Sequence, residues 1–148
     1  MTKNVAKPII VKIGGSTLGS HDTTIQDLVY LQNEGKKLVV VHGGGKTITE
    51  WLAKQKTPTS FVHGLRVTDA QSLEVVAAVL AGLINKQLVA SVYAHGGRAA
   101  GLSGVDGALI EARKADPALA YVGEVTKLNL GLLNSILDEG LIPIIAPL

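Results

Sequence analysis

Two short aliphatic runs, each closed by glycines, restrict what this chain can fold into more than any other feature. The first is Ile9-Ile10-Val11-Lys12-Ile13 followed by Gly14-Gly15-Ser16. The second is Leu38-Val39-Val40-Val41-His42 followed by Gly43-Gly44-Gly45-Lys46-Thr47. Near-continuous aliphatic runs of this length read as strands buried on both faces, the habit of parallel sheets. A glycine turn that leads from such a strand toward a helix lets a ligand approach backbone amides. Amides at a helix start attract phosphate or carboxylate. Two such turns on neighbouring parallel strands would face one crevice, and chemistry between two anionic groups would suit it.

The rest of the chain alternates in the same way. Helical spacing runs over residues 23–34, with Asp22 as the cap, Ile25, Leu28 and Val29 on one face and Gly35 as the stop. A second helix is expected over residues 46–55 and a short hairpin arm over 61–66. Asp69 caps a long helical stretch to about residue 94, where Gly96 and Gly97 follow. Strands are expected at 99–102, 108–112, 121–125 and 141–146, and a helix at 129–138. This βαβ alternation predicts an α/β fold with an open, mainly parallel sheet and helices on both faces. Ligands of such sheets bind at the carboxyl ends of the strands, where both glycine turns fall.

Composition narrows the function. Hydrophobic residues make up 47% of the 148 and aromatics only 3%, so the core is aliphatic. A net charge of +2 from scattered Lys and Arg leaves no nucleic-acid footprint. The chain has no cysteine, which excludes disulfides, thiolate metal sites and cysteine nucleophiles. No apolar run reaches the roughly 18 residues of a membrane span, and residues 1–7 are polar and too short for a signal peptide. A cytoplasmic protein is the expectation.

The glycine turns match no common nucleotide motif. In Gly45-Lys46-Thr47 the leading glycine of a Walker A loop would fall at Val40, inside the strand. Gly43-Gly44-Gly45 lacks the spacing of a dinucleotide fingerprint. A general anion-binding turn remains. Lys12 lies within an aliphatic run, where a lysine is costly unless it snorkels from an edge strand or faces a ligand. At the crevice mouth it would neutralise a phosphoryl group. Arg66 sits between the hairpin arm and a helix cap, free to clamp a carboxylate or to bond nearby backbone or Asp69. His42 reads as structural rather than as a base. His21, His63 and His95 share no metal-ligand spacing, and no metal site is expected. Asn85-Lys86 reads as polar helix surface or a contact to a partner subunit. Ser103 to Gly107 reads as a hairpin-type turn with Asp106 as a turn residue.

Four segments carry a family resemblance. Lys12-Ile13-Gly14-Gly15-Ser16, Val41-His42-Gly43-Gly44-Gly45, Gly64-Leu65-Arg66-Val67-Thr68-Asp69 and Gly101-Leu102-Ser103-Gly104-Val105-Asp106-Gly107 resemble the amino acid kinase family. The third is similar to the branch that phosphorylates N-acetyl-L-glutamate in arginine biosynthesis. The resemblance implies an αβα sandwich and in-line transfer from ATP, with Mg²⁺, to the substrate's side-chain carboxylate. Lys12 would stabilise the transition state. Gly44, Gly45 and Arg66 would hold N-acetyl-L-glutamate, and Gly14, Gly15 and Gly43 would bind phosphate. It also implies a homodimer through the helix at 69–94, whose apolar residues cover more than one face. The likeness extends over the N-terminal, amino-acid-binding and dimerisation half only. Residues 1–148 would thus be the substrate-binding domain, without the C-terminal nucleotide-binding domain and inactive alone. A kinase of a carrier-linked aminoadipate or glutamate, and a non-catalytic amino-acid-binding module, stay open beside it.

Overall fold

The computed structural model describes residues 7–14 and 23–148. In chain order its elements are β1 (Ile9–Ile13), α1 (Thr24–Asn33), β2 (Leu38–His42), α2 (Gly45–Lys54), β3 (Phe61–Val62) and β4 (Leu65–Arg66). Then come α3 (Ala70–Ala77), a π-helical segment (Ala78–Ile84), α4 (Asn85–Ala94), β5 (Ala99–Ser103) and β6 (Ile110–Lys114). The chain continues through β7 (Gly123–Leu128), α5 (Gly131–Asp138) and β8 (Ile142–Ala146).

Among the described residues the main sheet has four parallel strands in the order β1-β2-β8-β5. Alternation along β2 assigns its side chains to two layers. Leu38 and Val40 join the larger core, with Ile25 and Leu28 of α1, Leu52 of α2, and Leu80, Leu88 and Val92 of the long helix. Val39 meets Leu137 of α5, Leu109 and Ile145 on the opposite face. Helices therefore cover both faces, as the alternation predicts. Pro143 is fully buried in β8, a central strand, although proline cannot donate to a ladder. The structure accommodates it because β8 pairs with β2 only from Ile144 onward.

Three expectations change. β1 is an edge strand, and Ile9 and Ile10 are 42% and 63% exposed, so it is not buried on both faces. The aliphatic run alone cannot distinguish a central strand from an edge strand. The strands near 108–112 and 121–125 lie outside the main sheet. They form an antiparallel pair, β6 with β7, whose β7 residues are all exposed. Consequently Ser103 to Gly107 links two different sheets rather than the arms of a hairpin. Asp106 does act as a turn residue: its Oδ2 accepts from Ser103 N at 2.6 Å and Ser103 Oγ at 2.9 Å.

Asp22 lies outside the described residues, as do Gly15, Ser16 and His21. At the start of α1, Thr23 Oγ1 donates to Asp27 Oδ2 at 2.9 Å. Asp69 caps α3 as expected, accepting from Ser72 N at 2.8 Å. The stretch Ala70–Ala94 is long and apolar enough to cross a membrane by length and composition, with a mean hydropathy of 1.8. The sequence reading did not anticipate this, because Asn85, Lys86 and Gln87 interrupt its apolar runs. Its inward residues Val75, Val79, Leu80, Ile84, Leu88 and Val92 form much of the larger core.

Candidate functional site

The register of β1 on β2 sets Ile13 beside His42. The two strands therefore end abreast at the carboxyl edge of the sheet, followed by Gly14 and Gly43. A backbone bond joins them, Gly43 N donating to Ile13 O at 2.9 Å. Gly14 and Gly43 are thus neighbours, as the sequence predicts.

The three glycines before α2 have different physical reasons. None has a positive φ, so chain reversal does not demand them. Gly44 is buried against the π-helical segment, where a Cβ would overlap Ile84 Cδ1 and sit 2.8 Å from Leu80 Cδ2. Gly45 has no protein atom within 4 Å of where its Cβ would stand. Packing explains the first, and open space lies in front of the second. α2 starts at Gly45 without a side-chain cap, and its first intrahelical bond runs from Ile48 N to Gly44 O at 2.9 Å. The amides of Gly45, Lys46 and Thr47 precede that bond and have no helical acceptor.

Arg66 comes to this turn from β4. Its Nη2 donates to Thr49 Oγ1 at 2.7 Å and to Gly45 O at 3.2 Å. Its guanidinium lies 4.8 Å over the Phe61 ring, the cross-strand neighbour on β3. Asp69, the alternative partner, is occupied as a helix cap instead. Arg66 Nη1 is buried and has no hydrogen-bond partner among the described residues. Burial pulls the Arg66 pKa below its ordinary value. Among the described residues the ion pairs are Lys37–Asp138, Arg113–Glu124 and Lys127–Glu111. None involves Arg66 or Lys12. A guanidinium that is partly desolvated, fixed at one nitrogen and left unsatisfied at another is suited to meet an anion.

Lys12 is exposed on the edge strand, one residue before Ile13. Ile13 belongs to the larger core, so alternation puts Lys12 on the other face of the sheet, level with Val41. From that position the ammonium can reach water or a ligand beside Gly14. Beside the long helix, a cavity of about 580 Å³ opens between α3 and β6–β7, lined by Thr68, Leu73, Val76, Tyr121 and Val122 among others. Its apolar walls suit hydrocarbon rather than charge.

His42 is 1% exposed, and both its ring nitrogens are engaged. Nε2 lies 3.2 Å from Asn85 Nδ2, and Nδ1 lies 3.1 Å from Gly43 O. Burial lowers its pKa, and the bond to Gly43 opposes that only in part. His42 is structural, as expected. Asn85 is not the polar surface the sequence reading assigns. It is fully buried, and its Nδ2 also donates to Ile144 O at 2.8 Å and Leu102 O at 3.2 Å. The signal was present: Asn85 stands three residues before Leu88 and seven before Val92, on their inward face. Thr49 was also missed, although it lies one helical turn after Gly45.

Residues 7–148 match the model of the amino acid kinase family. The chain belongs to that family. It is 46% identical to an acetylglutamate kinase of Dehalococcoides mccartyi, over 94% of this chain and 51% of that protein. It is 44% identical to the acetylglutamate kinase of Gloeobacter violaceus, over 95% of this chain and 49% of that one. The chain spans about half the length of the curated relatives it matches. Among solved structures, smu.665 from Streptococcus mutans covers 93% of this chain with a TM-score of 0.87 and 30% identity, using 57% of its own length. An N-acetylglutamate synthase from Neisseria gonorrhoeae, complexed with coenzyme A and N-acetyl-glutamate, covers 95% at TM-score 0.74 and 25% identity, using 33% of its length. Isopentenyl phosphate kinase, at 19% identity and TM-score 0.57, shares the fold. The parallel sheet with helices on both faces is the family fold.

Proposed function

We propose that this chain supplies the amino-acid-binding part of an acetylglutamate kinase, which transfers a phosphoryl group from ATP to the side-chain carboxylate of N-acetyl-L-glutamate. The observation that carries the reading is Arg66. Its Nη1, buried and without a partner among the described residues, belongs to a guanidinium tied to Gly45 O, beside the uncapped amides of α2. A dicarboxylate suits this arrangement, with one carboxylate on Arg66 and the other at the glycine turn. A carboxylate is already a nucleophile, so the reaction needs alignment and charge neutralisation rather than a base. Gly44 and Gly45 would hold the substrate, Gly14, Gly15 and Gly43 would cradle phosphoryl oxygens, and Lys12 would neutralise the transferring group.

ATP is the second substrate in this reading. No group of three or more His, Asp or Glu that could hold a metal is found among the described residues. Mg²⁺ would arrive with the nucleotide. The nucleotide would be held mainly by the portion that the relatives possess beyond this chain's span. A cytoplasmic location and a homodimer through α3, the π-helical segment and α4 complete the proposal.

The test is calorimetric titration of the 148-residue chain with N-acetyl-L-glutamate, L-glutamate and ATP. Saturable binding of N-acetyl-L-glutamate, lost in Arg66→Ala, is expected, with no tight binding of ATP. Equal affinity of Arg66→Ala and the native chain would refute the proposal.

A further inference from the structure

The bond pattern around His42 reaches from the core of the sheet to the glycine turn. Asn85 Nδ2 lies near two carbonyl oxygens, of Ile144 and Leu102, while Lys86 Nζ donates to Asn85 Oδ1 at 3.0 Å. The amide orientation is therefore fixed: its NH₂ faces the carbonyls and His42, and its oxygen faces the lysine. His42 Nε2 faces that NH₂, whose two hydrogens are shared among three acceptors, and so takes the accepting role. The ring proton is then on Nδ1, which donates to Gly43 O at 3.1 Å. Gly43 C=O and Gly44 N–H belong to one planar trans peptide and point in opposite directions. Drawing the Gly43 oxygen toward the imidazole turns the Gly44 N–H away from it. No hydrogen-bond partner for that N–H is found among the described residues.

The chain brings Asn85 to this place by means of the π-helical segment. Wider π turns let residues five apart share a face. Leu80 and Asn85 both point inward, Leu80 against Gly44 and Asn85 against His42. Gly101 has the complementary shape. A Cβ there would overlap Asn85 Oδ1 and crowd Lys86 Nζ at 2.8 Å.

We propose that His42 is a positioning residue for the anion site: held by Asn85 as its Nδ1–H tautomer, it fixes the Gly43–Gly44 peptide so that the Gly44 N–H is presented to the bound carboxylate or phosphoryl group. This rests on the proposed function for the identity of the ligand, but the tautomer and the peptide orientation are independent of it. His42 itself is buried with both nitrogens engaged, so it touches no substrate.

Two substitutions divide its bonds. His42→Asn can place an amide donor where Nδ1 stands and keep the bond to Gly43 O. His42→Gln can place an acceptor near Nε2 for Asn85 and gives up the bond to Gly43. The experiment uses ¹⁵N,¹³C-labelled chain, with N-acetyl-L-glutamate as the probe. Long-range ¹⁵N spectra of the native chain should show His42 protonated at Nδ1. The Gly43 carbonyl shift should be native-like in His42→Asn and displaced in His42→Gln. Affinity should fall about tenfold in His42→Gln and stay within about threefold in His42→Asn, the worth of one hydrogen bond. Thermal melts of both variants separate this loss from lost folding. An Nε2-protonated His42 in the native chain overturns the proposal even if neither variant folds. So do equal affinities of both variants and the native chain, or equal displacement of the Gly43 carbonyl in both. If the native chain fails to bind the probe while the tautomer and carbonyl shifts are as stated, the functional reading fails and the positioning role stands.

Discussion

Arg66 and Lys12 are the two cations of the proposed site, and they stand in opposite circumstances. Arg66 is partly buried, braced by Thr49 and Phe61, and finished before any ligand arrives. Such a group acts in the ground state. Arg66→Ala should weaken N-acetyl-L-glutamate binding by about 2–4 kcal/mol, the loss of a charge-assisted bidentate contact. Lys12 is exposed on an edge strand, and in the proposed reading it would act on charge that gathers on a transferring phosphoryl. In an enzyme carrying both halves, Lys12→Ala should lower kcat with little change in KM for the amino acid. Steady-state kinetics of the two variants check this, and an unchanged kcat in Lys12→Ala would contradict it. His42 gives a prediction in the absence of ligand. Its folded-state pKa lies below the unfolded value of about 6.5. Between those values the unfolded chain binds the extra proton, so stability rises with pH. The contribution is complete above about pH 6.5 and is lost as pH falls through that range. Urea unfolding at a series of pH values should show this slope, and His42→Gln should flatten it. The His42 role was legible only in outline. A lone histidine at a strand end reads as structural, but its partner Asn85 is 43 positions away and is brought near by the π turns.

At the scale of elements, the glycine turn holds one residue whose Cβ position is packed, Gly44, and one that faces open space, Gly45. Gly44→Ala should destabilise by about 1–3 kcal/mol, because Leu80 and Ile84 must give way. Gly45→Ala meets open space at the first helical position of α2 and should raise stability by up to about 1 kcal/mol. The same methyl should weaken anion binding, since it fills the approach to the amides. Chemical denaturation and titration of both variants give the contrast. A destabilised Gly45→Ala with native affinity would reverse the assignment. From sequence, the three glycines look alike, and only the neighbours supplied by the π-helical segment tell them apart. Most other elements were readable because short-range chemistry defines them. Asp69 caps α3, and Gly96 and Gly140 follow their helices with φ of +81° and +72°. The edge position of β1 and the separation of β6–β7 were not readable. Strand order depends on pairings distant along the chain, and those leave no local pattern.

On the scale of the whole molecule, the sheet ends β1 and β2 together at one edge, at Gly14 and Gly43, and leaves the long helix across one face. That helix keeps apolar residues outside the core: Leu73 and Leu83 are half-buried, and Ala78, Gly82 and Ala90 are exposed. A flat, small-residue surface of this kind suits a two-fold contact between identical helices. Light scattering should give twice the mass of 15.4 kDa at micromolar concentration, and Ala78→Glu should return it to the monomer value. A native chain that is monomeric under those conditions would exclude the contact. The central claim concerns the site itself. Its most direct test is a ¹⁵N–¹H titration of the labelled chain with N-acetyl-L-glutamate. Saturable shifts confined to Gly14, the amides from Gly44 to Thr47 and the Arg66 side chain are the result this account predicts. Shifts that cluster elsewhere on the molecule, or a spectrum that stays unchanged at millimolar ligand, would contradict it.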